Sequence, residues 1–274
     1  MVHYAIVHNL RCFCAATLYG GAVVCCLANA SAAEPSESAG GGSWHEKTAV
    51  DAEPAGESWI GLDGYRRVAA LYSGVTWSPI GNLRQDGFRV RAVAGGSIYR
   101  YSGQQFDQSS QTPVYNSYLG TGQFLDLLAG WQMSQGGTTI KAFGGYGRIS
   151  NVTAPLDPEA RIAGMARGGK GVLEIWQNWS PAAWTSLDLS AARANTTYSA
   201  VLRTGWRIEP DPTSSWSLGP ELSQIGNTSS TLRRLGLFLR HETLANEFTV
   251  SGGVSRASND SPMGYLTGQY LRRF

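Results

Sequence analysis

Residues 231–241 read Thr-Leu-Arg-Arg-Leu-Gly-Leu-Phe-Leu-Arg-His, and Leu235, Leu237 and Leu239 fall two positions apart. Arg234 and Arg240 take the opposite parity. A helix would place its apolar residues three and four positions apart, whereas the side chains of a β-strand alternate between two faces. This stretch therefore predicts a strand with one apolar face and one charged face.

The same alternation recurs along the chain from residue 59 onward. It is clear at 86–101, 183–193, 197–208 and 247–256, and weaker at 59–67, 68–77, 117–132, 138–149, 163–177, 215–224 and 264–273. Short turns are predicted at Gly136-Gly137 and around Asn195, and longer loops at 102–116 and 150–162. Twelve such segments predict an all-β protein, an antiparallel up-and-down barrel of about 10–12 strands.

Two architectures share this pattern. A soluble sandwich or lipocalin-like barrel turns its apolar face inward, whereas an outer-membrane barrel turns it outward to lipid. Repeated arginines on the polar faces, 34 glycines and only 15% charged residues favour a transmembrane barrel. Phe274 closes an amphipathic segment that also holds Leu266 and Tyr270. Aromatic residues near segment ends resemble interfacial girdles, namely Trp77, Trp131, Trp176, Trp179, Trp184, Trp206 and Trp216.

The first 58 residues differ from the rest. Residues 1–32 predict a signal peptide, with an apolar stretch before Ala30-Ser31-Ala32, although an uncleaved anchor helix is the alternative. All four cysteines lie in that segment, so the mature chain would have neither a disulfide nor a thiolate metal site. Residues 33–58 predict a flexible tether, with six acids against one lysine in 34–58. The expected domain order is signal peptide 1–32, tether 33–58 and barrel 59–274, located in a Gram-negative outer membrane.

The sequence gives weak signals for catalysis. The mature chain has two histidines, His45 and His241, and no metal-binding cluster. Small outer-membrane hydrolases can use a His and a Ser on the lipid face, which makes His241 with Ser251 or Ser255 the alternative enzyme hypothesis. Gly168-Gly169-Lys170-Gly171 lies inside a strand pattern and predicts barrel curvature rather than phosphate binding. No catalytic residue, metal or cofactor is expected, and a net charge of +2 does not indicate nucleic acid.

Two sets of residues are candidates for functional roles. Charges inside a barrel need partners, so ion pairing inside the barrel is predicted for Arg89, Arg91, Arg203, Arg207, Arg234, Asp188 and Glu221, with Glu174 and Asp126 as further carboxylates. Aromatic rings that bracket the 102–116 segment are candidates for stacking on the apolar faces of sugar rings, namely Tyr99, Tyr101, Tyr115 and Tyr118. An interfacial belt is the alternative role for these tyrosines.

Several short motifs together resemble the cellulose biosynthesis protein BcsS family. They are Trp77-Ser78-Pro79, Gly130-Trp131, Phe143-Gly144-Gly145-Tyr146-Gly147, Gly205-Trp206-Arg207, Leu218-Gly219-Pro220-Glu221 and the closing Gly252-Gly253-Val254-Ser255, Asn259-Asp260, Tyr265 and Arg272-Arg273. The resemblance covers roughly 59–274. It implies an exported accessory protein of bacterial cellulose production in the outer membrane. The long acidic tether and the Phe after the final Arg pair depart from the pattern.

The resemblance and the strand pattern together predict a non-catalytic, monomeric barrel that assists cellulose biosynthesis or secretion. Its expected partners are outer-membrane lipid and either cellulose or components of the cellulose synthase complex. A lipid-modifying hydrolase and a small porin are the alternatives. A barrel of twelve strands has little free space once Arg and Tyr side chains fill it, which disfavours a pore of porin size.

Overall fold

The computed structural model describes residues 53–107, 112–157, 160, 164–208, 211, 213–228, 230–258 and 261–274. They form twelve strands and one 3-10 turn at Ala194–Thr196. In chain order the strands are β1 Gly56–Tyr65, β2 Val68–Trp77, β3 Gly87–Asp107, β4 Thr112–Gln135, β5 Thr138–Ala154, β6 Gly164–Ser180, β7 Ala183–Ala192, β8 Thr197–Ile208, β9 Ser214–Gly226, β10 Thr231–Thr243, β11 Asn246–Ala257 and β12 Met263–Arg273. Within the described residues, no helix is long and apolar enough to cross a membrane.

The strands close into one antiparallel barrel, and each strand pairs with its neighbours in sequence. Closure comes from β1 and β12, which pair from Glu57 opposite Arg273 to Tyr65 opposite Tyr265. Gly56 and Phe274 also exchange two backbone hydrogen bonds of 2.8 Å. The predicted all-β antiparallel barrel of up to twelve strands is therefore confirmed, and closure leaves no unpaired sheet edge.

Along the middle of β10 the alternation places apolar side chains outside and charged ones inside. On β10, Leu235 and Leu237 are 61% and 60% exposed, whereas Arg234 and Arg240 are 6% exposed. The charged face of β10 therefore lines the lumen and its apolar face points outward, as in a barrel surrounded by lipid.

The two ends of the barrel differ. We call the end that holds Gly56 and Phe274 the terminal end, and the opposite end the far end. Outward aromatic side chains ring the terminal end, namely Trp77, Phe88, Trp131, Trp179, Trp206, Trp216, Phe248 and Tyr270, and most are about half exposed. Three hairpins turn there through two residues each, at 136–137, 181–182 and 244–245. Gly136 and Gly137 have φ of 57° and 84°, which suits a tight hairpin of the I′ type.

Several sequence-based expectations need correction. Most of the expected 102–116 loop is strand, because β3 and β4 pair as far as Asp107 and Thr112. The expected 150–162 loop likewise begins only after Ala154, where β5 ends. Trp176 and Trp184 face the lumen instead of joining the girdle, since they share parity with Glu174 and Ser186. The barrel starts at Gly56 rather than 59. The signal peptide and the tether up to residue 52 lie outside the described residues.

Candidate functional site: the barrel lumen

A layer of tyrosines fills the far half of the lumen. Tyr99 and Tyr101 project from β3 and Tyr118 from β4, with ring centroids 6.0 Å apart between the first two and 5.2 Å apart between Tyr101 and Tyr118. Tyr65 and Tyr265 pack nearby with Leu232 and Ala257, and partly buried Val68 contacts both groups. We call the five tyrosines the tyrosine layer; each is at most 5% exposed. Stacked rings that exclude water make this half of the barrel a packed core.

Ion pairs lie next to the tyrosine layer. Arg234 Nη2 donates to Asp63 Oδ2 at 2.8 Å, and its guanidinium lies 5.1 Å and 4.8 Å from the ring centroids of Tyr65 and Tyr265. Lys170 pairs with Asp126 across β6 and β4. Because β10 meets β1 and β6 meets β4 only through the lumen, these pairs tie non-neighbouring strands together.

Glu221 is a buried hub. Its carboxylate accepts hydrogen bonds from Arg203 Nε at 2.7 Å, Ser251 Oγ at 2.8 Å and Tyr265 Oη at 3.1 Å. Arg203 also lies 3.9 Å from Asp188. Three donors from three other strands satisfy a carboxylate that is 3% exposed, as a buried charge requires.

The terminal half of the lumen is open. It forms a cavity of about 1110 Å³, which we call the vestibule. Arg91 and Glu174 form a bidentate pair from β3 to β6, with the guanidinium 4.0 Å from the Phe143 ring centroid. Next to Glu174 on β6, Trp176 stacks on Trp184 of β7 with ring centroids 4.1 Å apart. Aromatic faces and paired charges thus alternate around the vestibule.

The connection between β2 and β3, residues 78–86, covers part of the vestibule mouth, and Arg89 binds it. Arg89 Nη1 donates to Ser78 Oγ and its Nη2 donates to the Asn82 carbonyl, both at 2.9 Å. Gln132 Nε2 donates to the Leu83 carbonyl at 2.8 Å. Leu83 N in turn donates to the Pro54 carbonyl at 2.8 Å, so the chain before β1 runs along this segment at the mouth.

The structure places the candidate charges as follows. Arg91, Arg203, Arg234, Asp188 and Glu221 lie inside the barrel with the partners given above. Arg89 is also buried, but it binds backbone carbonyls and Ser78 rather than an acid. Arg207 lies at the terminal rim, where its Nη1 donates to the Pro181 carbonyl at 3.0 Å and its Nη2 donates to Asn178 Oδ1 at 2.9 Å.

The four candidate tyrosines do not form one surface. Tyr99, Tyr101 and Tyr118 stack on each other, and Tyr101 Oη donates to Asp157 Oδ2 at 2.7 Å. Tyr115 lies on β4 with the outward parity and is 72% exposed. The sequence suggested a shared loop, but the extended pairing of β3 and β4 separates Tyr115 from the other three. Three of the rings have their faces covered by one another, so stacking on a sugar would require them to separate.

Sequence reasoning missed several residues of the vestibule. Glu57, assigned to the tether, is part of β1 and pairs with Lys141 Nζ at 3.3 Å. Arg240 lies 4.6 Å and 5.1 Å from the ring centroids of Trp176 and Trp184, and it pairs with Glu242 and Glu247. Arg240 was visible on the polar face of β10, whereas the acidic composition before residue 59 concealed Glu57.

His241 does not meet Ser251 or Ser255. His241 has the outward parity of Leu239, whereas Ser251 and Ser255 are buried on the inner face of β11, so the barrel wall separates them. His241 Nε2 instead lies 3.1 Å from Ser214 Oγ, and its ring packs 4.5 Å from the Trp216 centroid. No carboxylate of the described residues forms an ion pair with His241. No group of three or more potential metal ligands occurs in that part of the chain.

A closed antiparallel barrel with an apolar outer face and a charged lumen defines the class of outer-membrane β-barrels. Among solved structures, the fold is similar to the KdgM porin, with 10% identity, a TM-score of 0.46 and coverage of 80% of this chain and 99% of that chain. It is also similar to the β domain of the Bordetella autotransporter BrkA, with 15% identity, a TM-score of 0.47 and coverage of 80% of this chain and 100% of that chain. A third similar structure is LpxR from Salmonella typhimurium, with 11% identity, a TM-score of 0.44 and coverage of 80% of this chain and 100% of that chain. At such identities the likeness concerns the fold alone.

The particular family follows from sequence. The chain belongs to the family of cellulose biosynthesis protein BcsS, whose family model matches residues 58–274. That match covers the whole barrel apart from the first two residues of β1. No curated protein matches the chain in sequence.

Proposed function

We propose that this protein is a non-catalytic accessory barrel of cellulose biosynthesis or secretion, located in the outer membrane of a Gram-negative bacterium. Family membership supports the association with cellulose, and the apolar outer face supports insertion in a membrane. Outer-membrane barrels have short periplasmic turns, so the two-residue hairpins of the terminal end support a periplasmic position for that end. The signal peptide 1–32 would be removed during export, and the part of the predicted tether 33–58 that precedes β1 would lie in the periplasm.

The observation that carries the functional proposal is the division of the lumen. The tyrosine layer packs the far half, whereas the vestibule opens toward the terminal end. A barrel of this kind suits docking better than conduction, because a polymer would have to displace the tyrosines and the Arg234–Asp63 pair. The vestibule would hold a periplasmic partner of the cellulose machinery, or the glucan itself, against the membrane.

The first experiment deletes the gene and measures exported cellulose. We expect less cellulose, or altered cellulose, and recovery by the wild-type gene. Trp59 lines the vestibule, with its ring centroid 5.2 Å from the Arg91 guanidinium. Complementation with Trp59→Ala should therefore restore less than Trp131→Ala, which alters the outer girdle. Equal outer-membrane levels of heat-modifiable folded protein provide the control. Normal cellulose in the deletion strain would contradict the association with cellulose, and equal recovery by both variants would contradict the role of the vestibule.

A second experiment separates docking from conduction. The purified barrel in a planar lipid bilayer should show no stable single-channel conductance of porin size, because the far half of the lumen is filled. A steady, large conductance from the wild-type protein would favour the small porin instead.

A hydrolase is the second candidate, and one observation favours it. Ser214 and His241 are within hydrogen-bond distance at the rim of the outer face, as a serine nucleophile and its base would be. A nucleophile also requires an orienting group for the base and donors for the oxyanion. The purified protein should release neither fatty acids nor sugars. Release that is abolished by both Ser214→Ala and His241→Ala would establish the hydrolase.

A further inference from the structure

The outer wall carries an asymmetry of charge. Among the strand residues whose side chains the structure describes, all acidic side chains point inward. They are Glu57, Asp63, Asp126, Glu174, Asp188, Glu221, Glu242 and Glu247. Arginines, by contrast, occur on both faces. Eight exposed arginines lie at the far end: Arg100, Arg148, Arg167, Arg233 and Arg256 point outward from strands, and Arg66, Arg67 and Arg193 lie in turns. We call these eight residues the arginine ring.

Strand register sets four members of the ring opposite one another in two pairs. Arg148 on β5 lies directly opposite Arg167 on β6, and Arg233 on β10 lies directly opposite Arg256 on β11. Arg193 follows at the β7–β8 turn, where its backbone N donates to the Gly169 carbonyl at 2.9 Å. The ring therefore includes two cross-strand pairs of like charge on different sides of the barrel.

Like charges directly opposite each other on one face of a sheet are destabilising. No ion pair between described residues involves Arg148, Arg167, Arg233 or Arg256. Arg233 Nε donates to the neutral amide oxygen Gln224 Oε1 at 3.3 Å. An anion from outside the chain would therefore relieve the repulsion in each of these two outward-facing guanidinium pairs.

The apolar belt determines where that anion lies. On β10 the outward positions run from Arg233 through Leu235, Leu237 and Leu239 to His241. On β11 they run from Arg256 through Val254 and Val250 to Phe248, at the aromatic girdle. On these two strands the arginine pair thus lies where the lipid-facing belt stops, at the depth of lipid headgroups. Guanidinium groups bind phosphate in a bidentate manner.

We propose that the arginine ring binds the phosphates of a polyanionic, phosphorylated glycolipid in the outer leaflet. The proposal rests on membrane insertion with the far end at the cell surface, but not on the link with cellulose. Each guanidinium pair would clamp one headgroup phosphate, so the phosphate offsets the repulsion between the two arginines. Bound lipid would then surround the barrel at its surface-facing rim.

The test uses the full mature protein, folded in neutral detergent, with bis-phosphorylated lipid A as the probe. The variant is Arg148→Gln with Arg167→Gln, and the matched control is Arg272→Gln, an exposed outward arginine at the terminal end. Each arginine near an anionic surface contributes about 1 kcal/mol. The double variant should therefore bind lipid A roughly thirtyfold more weakly, about 2 kcal/mol, whereas the control should bind as the wild type does.

Thermal unfolding gives a second measurement with a change of sign. Without anionic lipid, the double variant should be at least as stable as the wild type, because one repulsive pair is gone. With lipid A, the wild type should become the more stable of the two. Dephosphorylated lipid A and inorganic phosphate at equal concentration should produce no such reversal, since the lipid must supply phosphate at the membrane surface.

Two results would overturn the proposal: equal lipid A affinity of the wild type and the double variant, or equal stabilisation of the wild type by inorganic phosphate. If the double variant does not fold, Arg233→Gln with Arg256→Gln provides the same comparison on the other side of the barrel. Failure here leaves the cellulose phenotype of the deletion strain unaffected, so the two proposals are tested separately.

Discussion

Replacing Glu221 by Gln tests whether the lumen is held together by its charge network. The substitution keeps the shape of the side chain and removes its charge. Arg203 Nε then faces a neutral amide in place of its 2.7 Å carboxylate partner, and its remaining carboxylate among the described residues is Asp188, 3.9 Å away and 43% exposed. Removing one partner of a buried ion pair typically costs about 3–5 kcal/mol. Because Arg203 borders the vestibule and is 22% exposed, we expect the lower end, about 3 kcal/mol.

The free energy of unfolding is measured by urea titration of the barrel in lipid vesicles, with the folded fraction followed by electrophoretic mobility before heating. Asp188→Asn is the matched control, because it also converts a carboxylate near Arg203 into an amide. That carboxylate is distant and partly exposed, so its loss should cost less than about 1 kcal/mol. The double variant Glu221→Gln with Arg203→Met should be less destabilised than the sum of its single variants by about 1–3 kcal/mol. A loss below about 0.5 kcal/mol for Glu221→Gln, or strict additivity in the double variant, would show that the Glu221–Arg203 ion pair does not stabilise the barrel.

Substitutions on the outer face and in the lumen should have different effects. Leu237→Arg places a charge at mid-depth on the outer face and should cost about 2–4 kcal/mol, whereas His241→Arg on the same strand, at the girdle, should cost about 0–1 kcal/mol; equal yields of folded barrel would contradict the assigned depth. Gly205→Ala would bring a Cβ within 2.4 Å of Trp184 Cε2 and should cost about 1–3 kcal/mol in urea unfolding. Gly144→Ala meets nothing within 4 Å, so it should leave stability unchanged; a similar loss in both variants would show that packing on Trp184 is not the cause. Tyr101→Ala should open the tyrosine layer and raise ion conductance in planar bilayers, whereas Tyr115→Ala should not; equal conductance in both variants would show that the layer does not close the lumen.

Much of the fold follows from local sequence pattern. Alternation in stretches such as 231–241 and 247–256 predicted both the strands and the face turned outward, because the two-residue period of a strand is fixed by its backbone. Turn residues predicted the hairpins at Gly136-Gly137 and at Asn195. The ends of β3 and β4 were missed, since 102–107 and 112–116 are polar and resemble a loop unless their pairing is known.

The functional features depend on closure of the barrel. Sequence alone predicted that Arg91 and Arg234 face polar surroundings, but their partners Glu174 and Asp63 lie 83 and 171 positions away. Register around twelve strands brings these groups together across the lumen, and no local pattern encodes that register. Pairing of neighbouring strands, by contrast, sets Tyr101 opposite Tyr118 and Arg148 opposite Arg167, and strand parity leaves Tyr115 outside. The sequence by itself therefore determined the class of barrel and the polarity of its wall, because both are local properties of strands. Only the tertiary structure decided which half of the lumen is packed and which charges are paired, because those depend on contacts between distant strands.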